Sequence, residues 1–246
     1  MNFFAIPHIP NKRSKSVIIS CDAPKEAVIA LKRLGIQTIP SYKSEKIHSA
    51  VAAHPDMTIL HLGDNRFVCS PDSYEYYRSN IPEAEIIKGS VDLDLKYPND
   101  ISYNITILND YVFLNAASNQ IKIFKSYSNS KKKILNVNQG YTKCNICIVN
   151  SNAIITSDTG IHKTAIENKI NSLLIEPEHI KLTGMNYGFI GGAAGLVAPD
   201  VLAVCGDINT HPNGGEIISY CAEYGVDVVS LKSGEIYDIG SILPVF

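Results

Sequence analysis

The chain has 246 residues, 22 basic and 24 acidic side chains, a formal charge of −2, and 45% hydrophobic positions. That length suits one large domain or two small ones with a substantial core, and the composition argues against disorder. Near-neutral charge without a Lys/Arg-dominated segment argues against nucleic acid as the main partner.

The first eight residues are apolar but short, and Pro10, Lys12, Arg13 and Lys15 follow them. A secretory signal has its charges before a longer apolar run, so this is a poor one. The most apolar stretch, 188–206, carries Pro199, Asp200 and several glycines, which suits a buried strand pair better than a membrane span. The expectation is a soluble cytoplasmic protein without a membrane partner. Its six cysteines are then expected to be reduced. Cys144 and Cys147 form a lone CxxC, and in a strand residues three apart face opposite sides. No metal and no cofactor is expected.

In chain order, the first unit reads as an apolar strand over 17–22, a helix over 24–34 and a second strand over 37–39. Ala27, Val28, Leu31 and Leu34 share one helix face, and Gly35 supplies the stop. The second unit has strands over 58–62 and 67–72, a helix over 73–80 and a strand over 85–87. The third has strands over 104–108 and 112–117, then a Ser/Asn-rich stretch over 118–130 that predicts a short or irregular helix, then a strand over 133–137. The fourth has strands over 145–149 and 153–158, a helix over 161–168 and a strand over 172–175. The fifth has strands over 195–197 and 202–207, a helix over 215–224 stopped by Gly225, and a strand over 226–230. Asp or Ser at the ends of the central strands suits helix N-caps.

These units repeat every 41 to 50 residues. Each alone would leave sheet faces bare, so copies must pack on one another, and five without capping repeats predict a closed ring. The fold class is therefore α/β, a pseudo-fivefold five-bladed propeller of ββαβ-type repeats in one domain over 1–246. The approximate repeats are 12–57, 58–104, 105–145, 146–195 and 196–246, with residues 3–6 as the expected closing strand. The rival is a doubly wound α/β sheet, which lacks the recurring strand pairs.

This repeat architecture resembles the pentein fold of guanidino-group-modifying enzymes, which includes deiminases, dimethylarginine hydrolases and amidinotransferases along with a non-catalytic translation initiation factor. The resemblance implies ligand binding at the axis, where the loops before the next repeat's first strand converge. Here those loops hold His54-Pro-Asp56, Asp100 with Ser102-Tyr103-Asn104, Tyr141-Thr-Lys143-Cys144, Tyr187 to Gly192, and Tyr237-Asp238-Ile239-Gly240. Their recurring tyrosines suit either a ligand site or structural corners, and Gly191 and Gly192 would let backbone approach a ligand.

The resemblance also implies a carboxylate for the guanidinium, approximately at Asp56, and a second acid near Asp100. It places a histidine in 141–144 and a nucleophilic cysteine in 240–244, and neither is there. Without that pair the usual covalent mechanism cannot run. Ser241 lacks an evident base. Cys144 beside Lys143 is the remaining nucleophile candidate and His54 the first imidazole to test as its base, against the alternative that Cys144 is a packed thiol. His61 reads as a core or face residue, and His162 and His211 as outer turns.

The leading expectation is a small polar or cationic, guanidino-like or amino-acid metabolite held by Asp56, Asp100, Tyr103, Asn104, Lys143 and Asp238. Two alternatives stay open: an interaction protein that uses a propeller face, with Phe189 and Ile239 plugging the axis, and an atypical hydrolase with Cys144 as nucleophile.

Overall fold

The computed structural model describes residues 3–128 and 131–246. It contains five three-stranded sheets built to one plan. Each has an antiparallel pair followed by a helix and a third strand parallel to the middle one, the ββαβ unit expected from the repeats.

The first sheet combines β1 (Ser16–Ile19), α1 (Lys25–Arg33) and β2 (Gln37–Pro40) with the last strand of the chain. A one-turn helix α2 (Pro55–Thr58) leads into the second, made of β3 (Ile59–Gly63), β4 (Arg66–Cys69), α3 (Tyr74–Asn80) and β5 (Glu85–Lys88). The third has β6 (Thr106–Leu108), β7 (Tyr111–Leu114), α4 (Gln120–Tyr127) and β8 (Lys133–Asn136). A second one-turn helix, α5 (Thr142–Asn145), precedes β9 (Cys147–Asn150), β10 (Ala153–Thr156), α6 (Thr159–Glu167) and β11 (Asn171–Leu174). A third, α7 (Ile190–Ala193), precedes β12 (Ala194–Ala198), β13 (Val201–Val204), α8 (Gly214–Glu223) and β14 (Asp227–Ser230).

The closing strand is β15 (Leu243–Pro244), which pairs antiparallel with β1 through Val17–Pro244 and Ile18–Leu243. It takes the place expected for residues 3–6. Those residues form no strand, and Phe3 instead sets its ring edge-on to Phe67 and Phe246. Closure thus joins the two ends of the chain in one sheet.

Burial explains the sequence pattern. The middle strands β1 and β10 are buried along their whole length, whereas the last strands β2, β11 and β14 are exposed at both ends. A strand covered on both faces reads as a continuous Val/Ile run, and Val17-Ile18-Ile19 and Ile154-Ile155 do so. The first strands β9, β12 and β15 are neighbours around the axis. Each sheet therefore runs outward from axis to rim.

Helix ends follow local chemistry. Gly35 (φ +79°) and Gly225 (φ +68°) end α1 and α8 in the left-handed conformation, and Lys169 (φ +60°) takes the same place after α6. In each case the following N–H returns to the last turn at 3.0 Å: Ile36 to Leu31, Val226 to Cys221 and Ile170 to Ala165. Only one of the expected caps works as predicted on an α-helix, Asp158 accepting from Ile161 N at 2.8 Å. Asp22 pairs instead with Lys43, and Asp72 accepts from Ser44 Oγ at 2.6 Å.

The expected irregular helix is regular over Gln120–Tyr127, and its residues 129–130 lie outside the described residues. Its buried Ile123 and Phe124 supply the apolar face that the Ser/Asn content masked.

Candidate functional site

Five segments converge at the axis: α2 with His54 before it, the turn over 100–104, α5, α7, and the turn over 238–241. Three are short helices where loops were expected, so Thr58 and Asn145 end helical turns, and Asn104 lies in the turn before β6, rather than in strands. Cys144 likewise lies in a helical turn, which removes the strand argument about its orientation.

Asn104 organises the site. The N-cap position of α5, Tyr141, makes no capping bond. The carboxamide Oδ1 of Asn104, from the preceding turn, accepts Lys143 N at 2.8 Å and Cys144 N at 3.4 Å instead. It does for α5 what a cap residue does for its own helix. Its Nδ2 donates to Cys144 Sγ at 3.1 Å. Gln120, fully buried on α4, donates to the carbonyls of Asn104 and Gly140 at 2.5 and 2.7 Å and so ties the two turns together.

Below Cys144 lies a chain of buried polar contacts. Lys143 Nζ donates to Ser241 Oγ at 3.0 Å, and Ser241 Oγ donates to Asp56 Oδ2 at 2.7 Å. Cys144 Sγ donates to the same oxygen at 3.1 Å. Ser241 holds φ at +77°, an uncommon conformation for a non-glycine residue. On the other side of the axis, Asp238 accepts from Phe189 N at 2.9 Å and Gly240 N at 3.0 Å, and its Oδ1 stands 3.7 Å from His54 Nδ1.

Of these groups His54, Cys144 and Asp238 reach a cavity of 280 Å³, whose walls also include Tyr141, Tyr187 and Phe189. Tyr141 OH donates to Asp100 Oδ2 at 2.5 Å. The Tyr141 and Phe189 rings stand 6.4 Å apart and the Tyr187 and Phe189 rings 5.8 Å apart, forming an aromatic wall. Phe189 therefore lines the pocket rather than plugging it. Buried Ile239 packs in an apolar cluster with Val17 and Ile242.

Two expectations are corrected by packing. Tyr103 does not face the pocket: its ring lies in the core beside Val91 and its hydroxyl donates to Val91 O at 2.7 Å. A Cβ on Gly191 would lie 2.3 Å from Ile146 O, and one on Gly192 would lie 2.1 Å from Asp238 Oδ1. Both glycines make room for the protein's own chain, so no ligand is needed to explain them.

Burial dominates the electrostatics. It lowers the His54 and Lys143 pKa values, raises those of Asp56 and Asp100, and pushes Asp238 up to about 6. Burial also pushes the Cys144 thiol well up, and the nearby Asp56 and Asp238 carboxylates add to it. A nucleophilic cysteine needs a positive neighbourhood. Cys144 has the reverse: its proton is held by a carboxylate.

Among the other histidines, His61 stacks on Phe67 at 4.2 Å in the core, while His162 and His211 bond locally to Ser172 and Asn213. All six cysteines are free. Among the described residues no helix is long and apolar enough to cross a membrane.

The model of a family of unknown function, DUF6873, matches residues 18–243. The chain belongs to that family. No curated protein sequence matches this DUF6873 member. Its structure is similar to that of an inosamine-phosphate amidinotransferase from Streptomyces griseus, with TM-score 0.58, 12% identity, and 100% of this chain and 97% of that one covered. An amidinotransferase of the saxitoxin biosynthetic pathway from Microseira wollei gives 0.56 and 10%, covering 93% and 91%. DDAH from Pseudomonas aeruginosa, complexed with citrulline, gives 0.55 and 10%, covering 95% and 100%. This DUF6873 chain has the pentein fold, and at such identities the likeness speaks for fold alone.

Sequence reasoning missed Ser241's part in the chain of contacts, the Gln120 tie and the aromatic wall. The tyrosines recurring in the axial loops were a signal for the wall, whereas a Gln within a Ser/Asn-rich stretch gave none for the tie.

Proposed function

We propose that the axial pocket binds a small organic cation, an amine or guanidinium metabolite, without the covalent cysteine chemistry that the pentein resemblance implies. One observation carries this reading: the buried carboxylate of Asp238 lines the cavity, and two more buried carboxylates stand directly behind its lining, Asp56 accepting from Cys144 Sγ and Asp100 from Tyr141 OH, with the buried ammonium of Lys143 joined to Asp56 through Ser241. Asp56 Oδ1 and Asp100 Oδ1 are buried without a hydrogen-bond partner. Uncompensated negative charge in a low-dielectric interior is unfavourable, and a cation relieves it. The aromatic wall favours such a ligand further, because ring faces attract cations. Missing reacting groups at 141–144 and 240–244, together with a thiol kept protonated at Cys144, support binding without the covalent step.

The test is thermal unfolding of the wild type and of Asp238→Asn with guanidino compounds, amino acids and polyamines. Stabilisation at 100 Kd would amount to about 2.7 kcal/mol and should shrink sharply in the variant. Equal stabilisation of both proteins would place binding elsewhere. No stabilisation by any cation would refute the reading.

A further inference from the structure

One cluster beside the axial pocket shares Asp56 with the organic-cation reading but offers a different chemistry. A ring nitrogen of His54, a carboxylate oxygen of Asp56 and Cys144 Sγ all lie within 4.8 Å of one another, although they come from two different axial turns. All three side chains are buried. Two of their polar atoms, His54 Nδ1 and Asp56 Oδ1, have no hydrogen-bond partner. Buried polar groups are almost always satisfied, so two orphans in one cluster ask for a reason.

We propose that His54, Asp56 and Cys144 form a zinc site with an open fourth position facing the axial pocket. The donor set of one thiolate, one imidazole and one carboxylate suits zinc, because soft sulfur disfavours magnesium and calcium. Three protein ligands with a vacant position are the pattern of a site that also takes water or a ligand. In a tetrahedral site with metal–ligand distances of about 2.0 to 2.3 Å, ligand atoms stand about 3.3 to 3.6 Å apart. The observed 3.1 Å between Cys144 Sγ and Asp56 Oδ2 is near that edge. The widest separation the cluster allows, 4.8 Å, exceeds that edge by about 1.2 Å, which side-chain rotation would have to close.

The surroundings fit as well. Asp238 Oδ1, 3.7 Å from His54 Nδ1, adds a second buried carboxylate beside the cluster and raises its attraction for a dication. Asn104 Nδ2, 3.1 Å from Cys144 Sγ, would remain as a donor to the thiolate sulfur. Charge also balances. Zinc binding releases the Cys144 proton to solvent, so the metal's two positive charges meet thiolate and Asp56 carboxylate while Lys143 offsets Asp238. The metal and an organic cation would thus answer the same excess of negative charge and compete for the pocket.

The test starts from chelator-stripped protein. Cobalt titration should give one equivalent per chain with a sulfur-to-cobalt charge-transfer band and tetrahedral visible bands. Zinc competition against a chromophoric chelator should match that stoichiometry with one proton released. Cys144→Ser should abolish the charge-transfer band, and His54→Gln and Asp56→Asn should each weaken zinc binding by about 10- to 100-fold or more. Cys21→Ser, which removes an exposed thiol, should change neither. Circular dichroism establishes that each variant is folded. A substoichiometric wild type overturns the proposal without reference to any variant, and so does a cobalt–sulfur band that survives Cys144→Ser. Zinc binding without any effect of organic cations would leave the metal site standing and reject the metabolite reading; the reverse result would do the opposite.

Discussion

Replacing Lys143 with Met tests the charge balance on which both readings of the axis rest. Lys143 Nζ donates to Ser241 Oγ, and that hydroxyl donates on to Asp56 Oδ2. Two hydrogen bonds in series put the ammonium about 5 Å from the carboxylate, where unit charges at an effective dielectric of about 20 attract by about 3 kcal/mol. Removing the ammonium also leaves Asp56 and Asp238 facing each other without a buried counter-charge. Lys143→Met should therefore cost about 3 to 5 kcal/mol, in the range for breaking a buried pair from one side. Asp56→Asn removes one charge from the same pair but also its desolvation penalty, and should cost less, about 1 to 2 kcal/mol.

The informative quantity is the double variant. With both groups neutral, neither charge is stranded, so the double should be more stable than the two single losses added together by about 2 to 3 kcal/mol. Urea unfolding of the four proteins in the presence of a chelator measures this, with equal m-values required for the comparison. Additivity within about 0.5 kcal/mol would mean that Lys143 and Asp56 are not coupled, and the argument from uncompensated charge would fail. Lys143→Met should also bind the organic cation more tightly, because the pocket then carries more negative charge. Weaker binding would contradict the proposed ligand class.

Burial lowers the His61 pKa from 6.5 to about 4, so the unfolded chain takes up a proton there that the folded one refuses. Its contribution is intact above pH 6.5 and is lost as pH falls toward 4, by about 3 kcal/mol in all. His61→Phe, which keeps an aromatic ring against Phe67, should flatten the urea-midpoint profile across that window; an unchanged slope would show that His61 does not hold its proton off. Gly192→Ala would set a methyl 2.1 Å from Asp238 Oδ1 and should destabilise by about 1 to 3 kcal/mol while impairing cation binding. Normal binding in that variant would show Asp238 to be dispensable. Lys169→Gly, at φ +60° beyond α6, should raise stability by about 1 kcal/mol, checked by the thermal midpoint. Asn104→Ala removes the acceptor for Lys143 N and Cys144 N and should cost about 1 to 2 kcal/mol, with faster amide exchange at both positions as the diagnostic.

The difference between what the sequence shows of the fold and of the site has one physical source, the range over which each is encoded. The blades are local. Val17-Ile18-Ile19, the α1 face of Ala27 and Leu31, and the Gly35 stop lie within twenty residues of one another, and each element's period is written in its own segment. The closing strand is only Leu243–Pro244, too short to carry a period, so nothing local distinguishes it from the apolar residues 3–6. The site is less legible still. Asp56 meets Cys144 across 88 positions and Ser241 across 185, and only ring closure brings them together. Membership of an axial loop could be read from the repeat, which is why Asp56, Asn104, Lys143, Cys144 and Asp238 were within reach. Side-chain direction could not: Tyr103 and Tyr141 sit in successive loops, yet one turns to Val91 O in the core and the other to Asp100 at the pocket. A fivefold repeat thus specifies where chemistry can gather, while the departures from fivefold symmetry, residue by residue around the axis, decide what chemistry gathers there.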